Sequence, residues 1–99
     1  MPTTTLEQLR TEKRDDIMAL ATKHGISNVR VFGSVARGED RPDSDIDFLI
    51  SLERGRNIMD WSGFWVDLED LLGKKVDVFP EKNLRWSLKE PVLTEAITL

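Results

Sequence analysis

Gly33-Ser34-Val35-Ala36-Arg37-Gly38-Glu39-Asp40-Arg41-Pro42-Asp43-Ser44-Asp45-Ile46-Asp47-Phe48-Leu49-Ile50 opens with a Gly-Ser turn, crosses a polar loop and ends in an apolar run that carries two aspartates. Side chains of a strand alternate between faces, so Asp45 and Asp47 share one face while Ile46 and Phe48 take the other. Two carboxylates so placed repel by roughly 4 kcal/mol at ~4 Å and an effective dielectric of ~20. A hard cation such as Mg²⁺ offsets that cost. Gly33 and Ser34 can bring backbone N–H groups and a hydroxyl close to a phosphate. A phosphate site beside a carboxylate metal site suggests nucleotide chemistry.

The flanking sequence alternates in the same way. Asn28-Val29-Arg30-Val31-Phe32 reads as a first strand, turning at Gly33-Ser34 into a short helix over 34–37. Gly38, Pro42, Asp43 and Ser44 are turn formers in a loop over 38–44. Residues 45–52 make a second strand, apolar enough beyond its acidic end to be buried on both faces. A third strand is expected at Val76-Asp77-Val78-Phe79, closed by Pro80.

Helical spacing fills the rest. Leu6, Leu9, Ile17, Leu20 and Ala21 predict one helix over 5–24, with Thr5 as N-cap, Gln8 reaching back and Gly25 as terminator. Ile58, Trp61, Phe64, Trp65, Leu68, Leu71 and Leu72 mark a second apolar helical face ending at Gly73. Asn83 is a candidate cap for a last helix with Leu84 and Leu88. Pro91 should break or kink it, leaving Val92, Leu93, Ala96 and Ile97 for a final turn or two. The order α-β-α-β-α-β-α implies an α+β fold of α/β-like order: a small mixed three-stranded sheet flanked by helices.

Composition bounds the function. Ninety-nine residues suit one domain over 1–99 with a small core. The formal net charge of −4 disfavours a domain that grips nucleic acid directly. With no cysteine, disulfides, thiolate catalysis and zinc–thiolate sites are excluded. No apolar run is long enough to span a membrane, and the first residues, Met1-Pro2-Thr3-Thr4-Thr5, lack a positive-then-apolar pattern. The expected location is cytoplasmic.

Asp77 is an acid in an otherwise apolar strand. It reads either as a solvated strand end, or partner of Lys74 or Lys75, or as a third carboxylate joining Asp45 and Asp47 if the third strand lies beside the second. Three carboxylates suit one or two Mg²⁺ ions. His24, the only histidine, reads as a helix-end or surface residue rather than a ligand. Trp61 and Trp65 read as core, with an exposed partner surface as the alternative; Trp86 poses the same choice. Arg54 and Arg56 read as a solvated loop, and Glu69 and Asp70 as a solvated helix face.

Gly33-Ser34, Arg37-Gly38 and Ser44-Asp45-Ile46-Asp47, followed by Asp77, together resemble the signature of the DNA polymerase β-type nucleotidyltransferase superfamily. The nearest group is the minimal nucleotidyltransferase (MNT) proteins of prokaryotes. The likeness runs from the first helix through Leu71-Leu72-Gly73-Lys74-Lys75-Val76-Asp77-Val78 to Glu95-Ala96-Ile97. It implies that Asp45, Asp47 and Asp77 ligate Mg²⁺, with Asp77 also placed to help activate the nucleophile. It implies that Gly33 and Ser34 hold the β- and γ-phosphates of a nucleoside triphosphate, with Arg37 and Ser44 nearby. Such proteins are typically the antitoxin of a module whose toxin is a helical HEPN-type ribonuclease. The implied reaction transfers AMP from ATP to a toxin tyrosine, releasing pyrophosphate, and implies a hetero-oligomer with the toxin. Pro91 departs from the usually uninterrupted last helix of the family. The competing readings are an antitoxin that works by binding alone, and nucleotidyl transfer to a small hydroxylated acceptor or an RNA 3′ end. This short acidic chain suits neither of the last two acceptors.

Overall fold

A computed structural model of the protein describes residues 4–99; part of the leading segment Met1–Thr5 therefore lies outside the described residues. The elements are α1 (Thr5–Arg10), α2 (Arg14–His24), β1 (Ile26–Phe32), α3 (Gly33–Arg37), β2 (Ile46–Leu52), α4 (Ile58–Leu72), β3 (Val76–Pro80), a 3₁₀ turn (Glu81–Asn83), α5 (Trp86–Glu95) and β4 (Ile97–Thr98). The strands form one mixed sheet in the order β3-β2-β1-β4. β1 pairs antiparallel with β2 and with β4, whereas β2 and β3 run parallel.

Register divides the side chains into two sets. Val31 faces Phe48, which faces Val78, and Ile46 faces Val76. These residues pack against Ile17 and Ala21 of α2 and Phe64 and Leu68 of α4, and none of the core side chains is more than a few per cent exposed. The opposite face carries the row Phe32–Asp47–Asp77 and, next to it, the row Arg30–Leu49–Phe79. β1 enters this arrangement through a bulge: its register shifts between Ser27 and Arg30, where Asn28 has φ 50°.

Three expectations about the helices need correction. The single helix over 5–24 is two helices. The Thr11 hydroxyl takes the Glu7 carbonyl at 2.6 Å, and the backbone turns at Thr11 before restarting at Arg14. The charged run between Leu9 and Ile17 contains no apolar residue to bury, and a break lets both leucine and isoleucine reach the core. The cap is Thr4, whose hydroxyl accepts from the Glu7 amide at 3.1 Å, while Thr5 donates to Asp40 at 2.7 Å. Asn83 does not cap α5; it ends the 3₁₀ turn, and the helix starts at Trp86 after Arg85.

The chain's end differs too. Pro91 sits inside α5, which continues past it to Glu95. Pro91 is exposed, so the Ser87 carbonyl it leaves without an amide partner lies on a solvated helix. Ile97 is not helical but lies opposite Val31, adding a fourth strand to the expected three. Two residues are too few for alternation to reveal a strand; the free edge of β1 recruits them, and Leu99 is buried beyond. The α+β class is unchanged.

Several side chains take structural duties. Trp61 and Trp65 pack against the core with ring centroids 6.1 Å apart, and the Trp61 indole donates to the Val78 carbonyl at 2.9 Å. Trp86, by contrast, is 91% exposed. His24 pairs with Asp67 at 2.7 Å, over Gly63 and at the edge of Phe64. Glu69 is not a solvated face residue: its carboxylate accepts from the Val76 amide at 3.1 Å and joins α4 to the start of β3. Asp70 is exposed. Arg56 lies over Gly25 and reaches Asp60 at 3.3 Å, while Arg54 is exposed.

Candidate active site

The carboxylates are brought together by pairing between β2 and β3. In the parallel register Asp47 stands opposite Asp77, on strands separated by about 4.8 Å. Asp45 lies just before β2 and is exposed, while Asp47 and Asp77 are partly buried. Among the described residues neither Lys74 nor Lys75 forms an ion pair with Asp77.

Burial is the main reason that Asp47 is pushed up to about 6, and the neighbouring charges of Asp77, Asp45 and Glu95 add to it while Arg37 opposes. Asp77 is likewise raised, first by burial and then by Asp45 and Glu69. The acids therefore feel one another across the two strands. Asp47 and Asp77 hold their protons more tightly than a free aspartate, through burial first and neighbouring acids second.

Gly33 is bound to this row by space. In antiparallel register Phe32 faces Asp47, so the chain turns into α3 directly beside the carboxylate. A Cβ on Gly33 would lie 2.2 Å from Asp47 Oδ2, and its φ of 74° is left-handed. Only glycine meets both conditions. Ser34 follows in the first turn of α3, partly buried, beside the same row.

The two remaining expected residues carry hydrogen bonds of their own. The Ser44 hydroxyl accepts from the Arg41 amide at 2.8 Å, and the Ser44 amide donates to the Arg41 carbonyl at 2.9 Å. Ser44 thus closes the loop before Asp45. Arg37 donates through Nε to Glu39 at 3.1 Å and through Nη1 to Glu95. Both hydrogen bonds, that to Glu39 first, raise its already high pKa. Glu95 was invisible to sequence reasoning: the pairing of β4 with β1 brings the end of α5 to α3, and no local signal marks it.

The donor set suits a hard divalent cation. Among the described residues no group of three acidic, histidine or cysteine side chains forms a cation-binding cluster. Mg²⁺ does not require one, since it binds through one or two carboxylates with waters and substrate phosphates. Two partly buried aspartates with raised pKa values fit that demand: a cation would relieve their mutual repulsion.

The chain matches the family model described as nucleotidyltransferase domain over residues 17–99. It is 31% identical to the protein adenylyltransferase MntA of Thermococcus cleftensis, over 94% of each chain. A solved structure of a candidate minimal nucleotidyltransferase superposes with a TM-score of 0.85 at 49% identity, over 95% of both chains. A toxin–antitoxin crystal structure with AMP-PNP superposes with a TM-score of 0.72, covering 85% of this chain and 69% of that one; at 20% identity the likeness is one of fold.

Proposed function

This chain belongs to the nucleotidyltransferase domain family, and from that premise we propose that it is the antitoxin of a toxin–antitoxin pair, transferring AMP from ATP to a tyrosine hydroxyl of a HEPN-type ribonuclease toxin. The enzyme class follows from the family and from the adenylyltransferase relative. The observation that carries the reading is the placement of Gly33 against the Asp47–Asp77 pair: a left-handed glycine whose Cβ would lie 2.2 Å from Asp47 Oδ2, beside two acids paired across β2 and β3. The toxin partner is supported by the fold shared with a toxin–antitoxin complex.

In this reaction the toxin hydroxyl attacks the α-phosphorus of ATP in line. A new O–P bond forms, the bond to the β-phosphate bridging oxygen breaks, and pyrophosphate leaves. Asp45, Asp47 and Asp77 would hold Mg²⁺, and Gly33 and Ser34 would carry the β- and γ-phosphates, with Arg37 beside them. Bound Mg²⁺ supplies neutralisation of triphosphate charge and a lowered pKa for the attacking hydroxyl. Asp77, held partly out of water, would take up the hydroxyl proton. The rest of the rate enhancement is positioning and electrostatics. Ser44 acts in this account through the loop that presents Asp45. We take the chain as a single minimal domain, working in the cytoplasm in a hetero-oligomer with its toxin and without direct contact to nucleic acid. No helix among the described residues is long and apolar enough to cross a membrane.

Intact-mass spectrometry tests the proposal. A candidate helical ribonuclease encoded beside this gene is incubated with the protein, ATP and Mg²⁺, alongside the Asp45→Asn and Asp47→Asn variants. The expected result is a gain of whole AMP units on the ribonuclease that both variants lose. A silenced ribonuclease in a tight complex without mass gain would replace the transferase reading by neutralisation through binding. Neither gain nor complex would remove the toxin assignment.

A further inference from the structure

We infer that Glu95 is the resident counter-anion of the phosphate subsite: its carboxylate holds the Arg37 guanidinium in the nucleotide-free protein and yields it to the incoming triphosphate. The inference rests on the ATP reading above and deepens it, adding a residue that sets nucleotide affinity.

The argument starts from placement. Arg37 lies one helical turn beyond Gly33 on α3, so its side chain shares the flank of the helix that Gly33 sets against Asp47. Glu95, the last residue of α5, reaches Arg37 from the far end of the chain. Both charges are felt at Asp47, Arg37 favouring its ionised form and Glu95 opposing it. Glu95 therefore stands at the rim where triphosphate charge would arrive.

Charge then decides the sign. Arg37 is the cation felt at Asp47; Glu39 takes its Nε–H and Glu95 its Nη1, so each two-pronged edge of the guanidinium already has a carboxylate on it. A guanidinium takes carboxylate and phosphate through the same fork of N–H donors. A phosphate can take either two-pronged edge of Arg37 only by displacing a carboxylate. Glu39 is the local partner, two residues away, and can follow Arg37; Glu95 belongs to another element and must let go. The Arg37 and Glu95 side chains are 48% and 24% exposed, so the pair is partly solvated and open to exchange.

The exchange couples the site to the end of the chain. α5 buries none of its residues, and its C-terminal end is held by this ion pair and by β4. Releasing Glu95 loosens that end.

Equilibrium binding of ATP with Mg²⁺ to the wild type and to Glu95→Gln, Arg37→Ala and the double variant tests this without any toxin. Glu95→Gln keeps a hydrogen-bond acceptor and removes the charge, so ATP should bind tighter by about 3- to 5-fold, the scale of a partly exposed ion pair. Arg37→Ala should weaken binding, and in that background Glu95→Gln should have a much smaller effect. Amide exchange over residues 92–98 should quicken when a non-hydrolysable ATP analogue is added to the wild type. A merely structural role for Glu95 predicts the opposite sign, a weaker and less stable Glu95→Gln variant. Unchanged or weakened binding by Glu95→Gln, with a wild type that binds ATP, overturns the inference alone. A wild type that binds no ATP overturns both the inference and the reading on which it rests.

Discussion

The two faces of the sheet are built from the same strands and obey different rules. On the face under α2 and α4, Val31, Phe48 and Val78 line up across β1, β2 and β3 and are wholly buried. On the other face, one residue along, Phe32, Asp47 and Asp77 line up in the same way and stay partly open. The first face lowers free energy by removing apolar surface from water. The second carries acids whose raised pKa values show that the fold holds them together at a cost. Stability and chemistry are thus separated by the two-residue period of a strand.

Substitutions on the closed face should break that separation first. Phe64→Ala empties a wholly buried position beneath the sheet and is expected to cost about 3–5 kcal/mol, a large part of the roughly 5–15 kcal/mol reserve of a domain. A urea titration checks it. Loss of only a fraction of a kcal/mol would mean that the helical layer is not what holds the strands.

The open face should respond in activity instead. Gly33→Ala forces a Cβ onto Asp47 at a left-handed position, and AMP transfer should fall by about 10²–10³-fold, the scale of losing one preorganised contact in a catalytic site. Soluble, folded protein with intact transfer would show that Asp47 can move away without consequence.

Asp47→Asn should separate the two faces most sharply, abolishing transfer yet stabilising the fold at neutral pH. The Asp47 pKa is about 6 in the fold against an ordinary 3.8. The protein therefore gains stability from this group only while it is protonated in both states, below about pH 4. That contribution is lost as pH rises from about 4 through 6, where the folded carboxyl finally ionises. Melting curves of wild type and variant should coincide near pH 4 and separate by about 1 kcal/mol in favour of Asp47→Asn above pH 6, after allowance for solvent screening. Wild-type transfer should decline below pH 6 as protonation competes with cation binding.

The smallest effect is expected at the helix-to-strand joint. Glu69→Ala removes the acceptor for the Val76 amide and should cost about 1 kcal/mol in melting experiments. It should change transfer far less than Asp47→Asn, because Glu69 reaches Asp77 only through its charge, from the entry of β3.

Local sequence carried most of the fold. Alternation in 28–32 and the apolar runs in 45–52 and 76–79 marked three strands, and the Ile58–Leu72 spacing marked α4 almost to the residue. What it misjudged were places where local preference was overruled or too short to register. Thr11 and the charged run after it divided a helix that periodicity read as continuous. Ile97–Thr98 became a strand because β1 had an unpaired edge, not because of any pattern of its own.

The site divides along the same line. The sequence by itself determined the chemistry available: two aspartates two residues apart at the start of one strand, a third in a later strand, a Gly-Ser turn before them, and no thiol to offer another route. Period-two geometry and turn propensity are local, so residue order alone expresses them. Only the tertiary structure decided that Asp77 stands opposite Asp47, that Gly33 leaves no room for a side chain beside it, and that Glu95 holds Arg37. Those facts depend on strand order, register and the return of the chain to β1. They are set by which packing of the whole chain buries the most apolar surface, and no short segment contains that information.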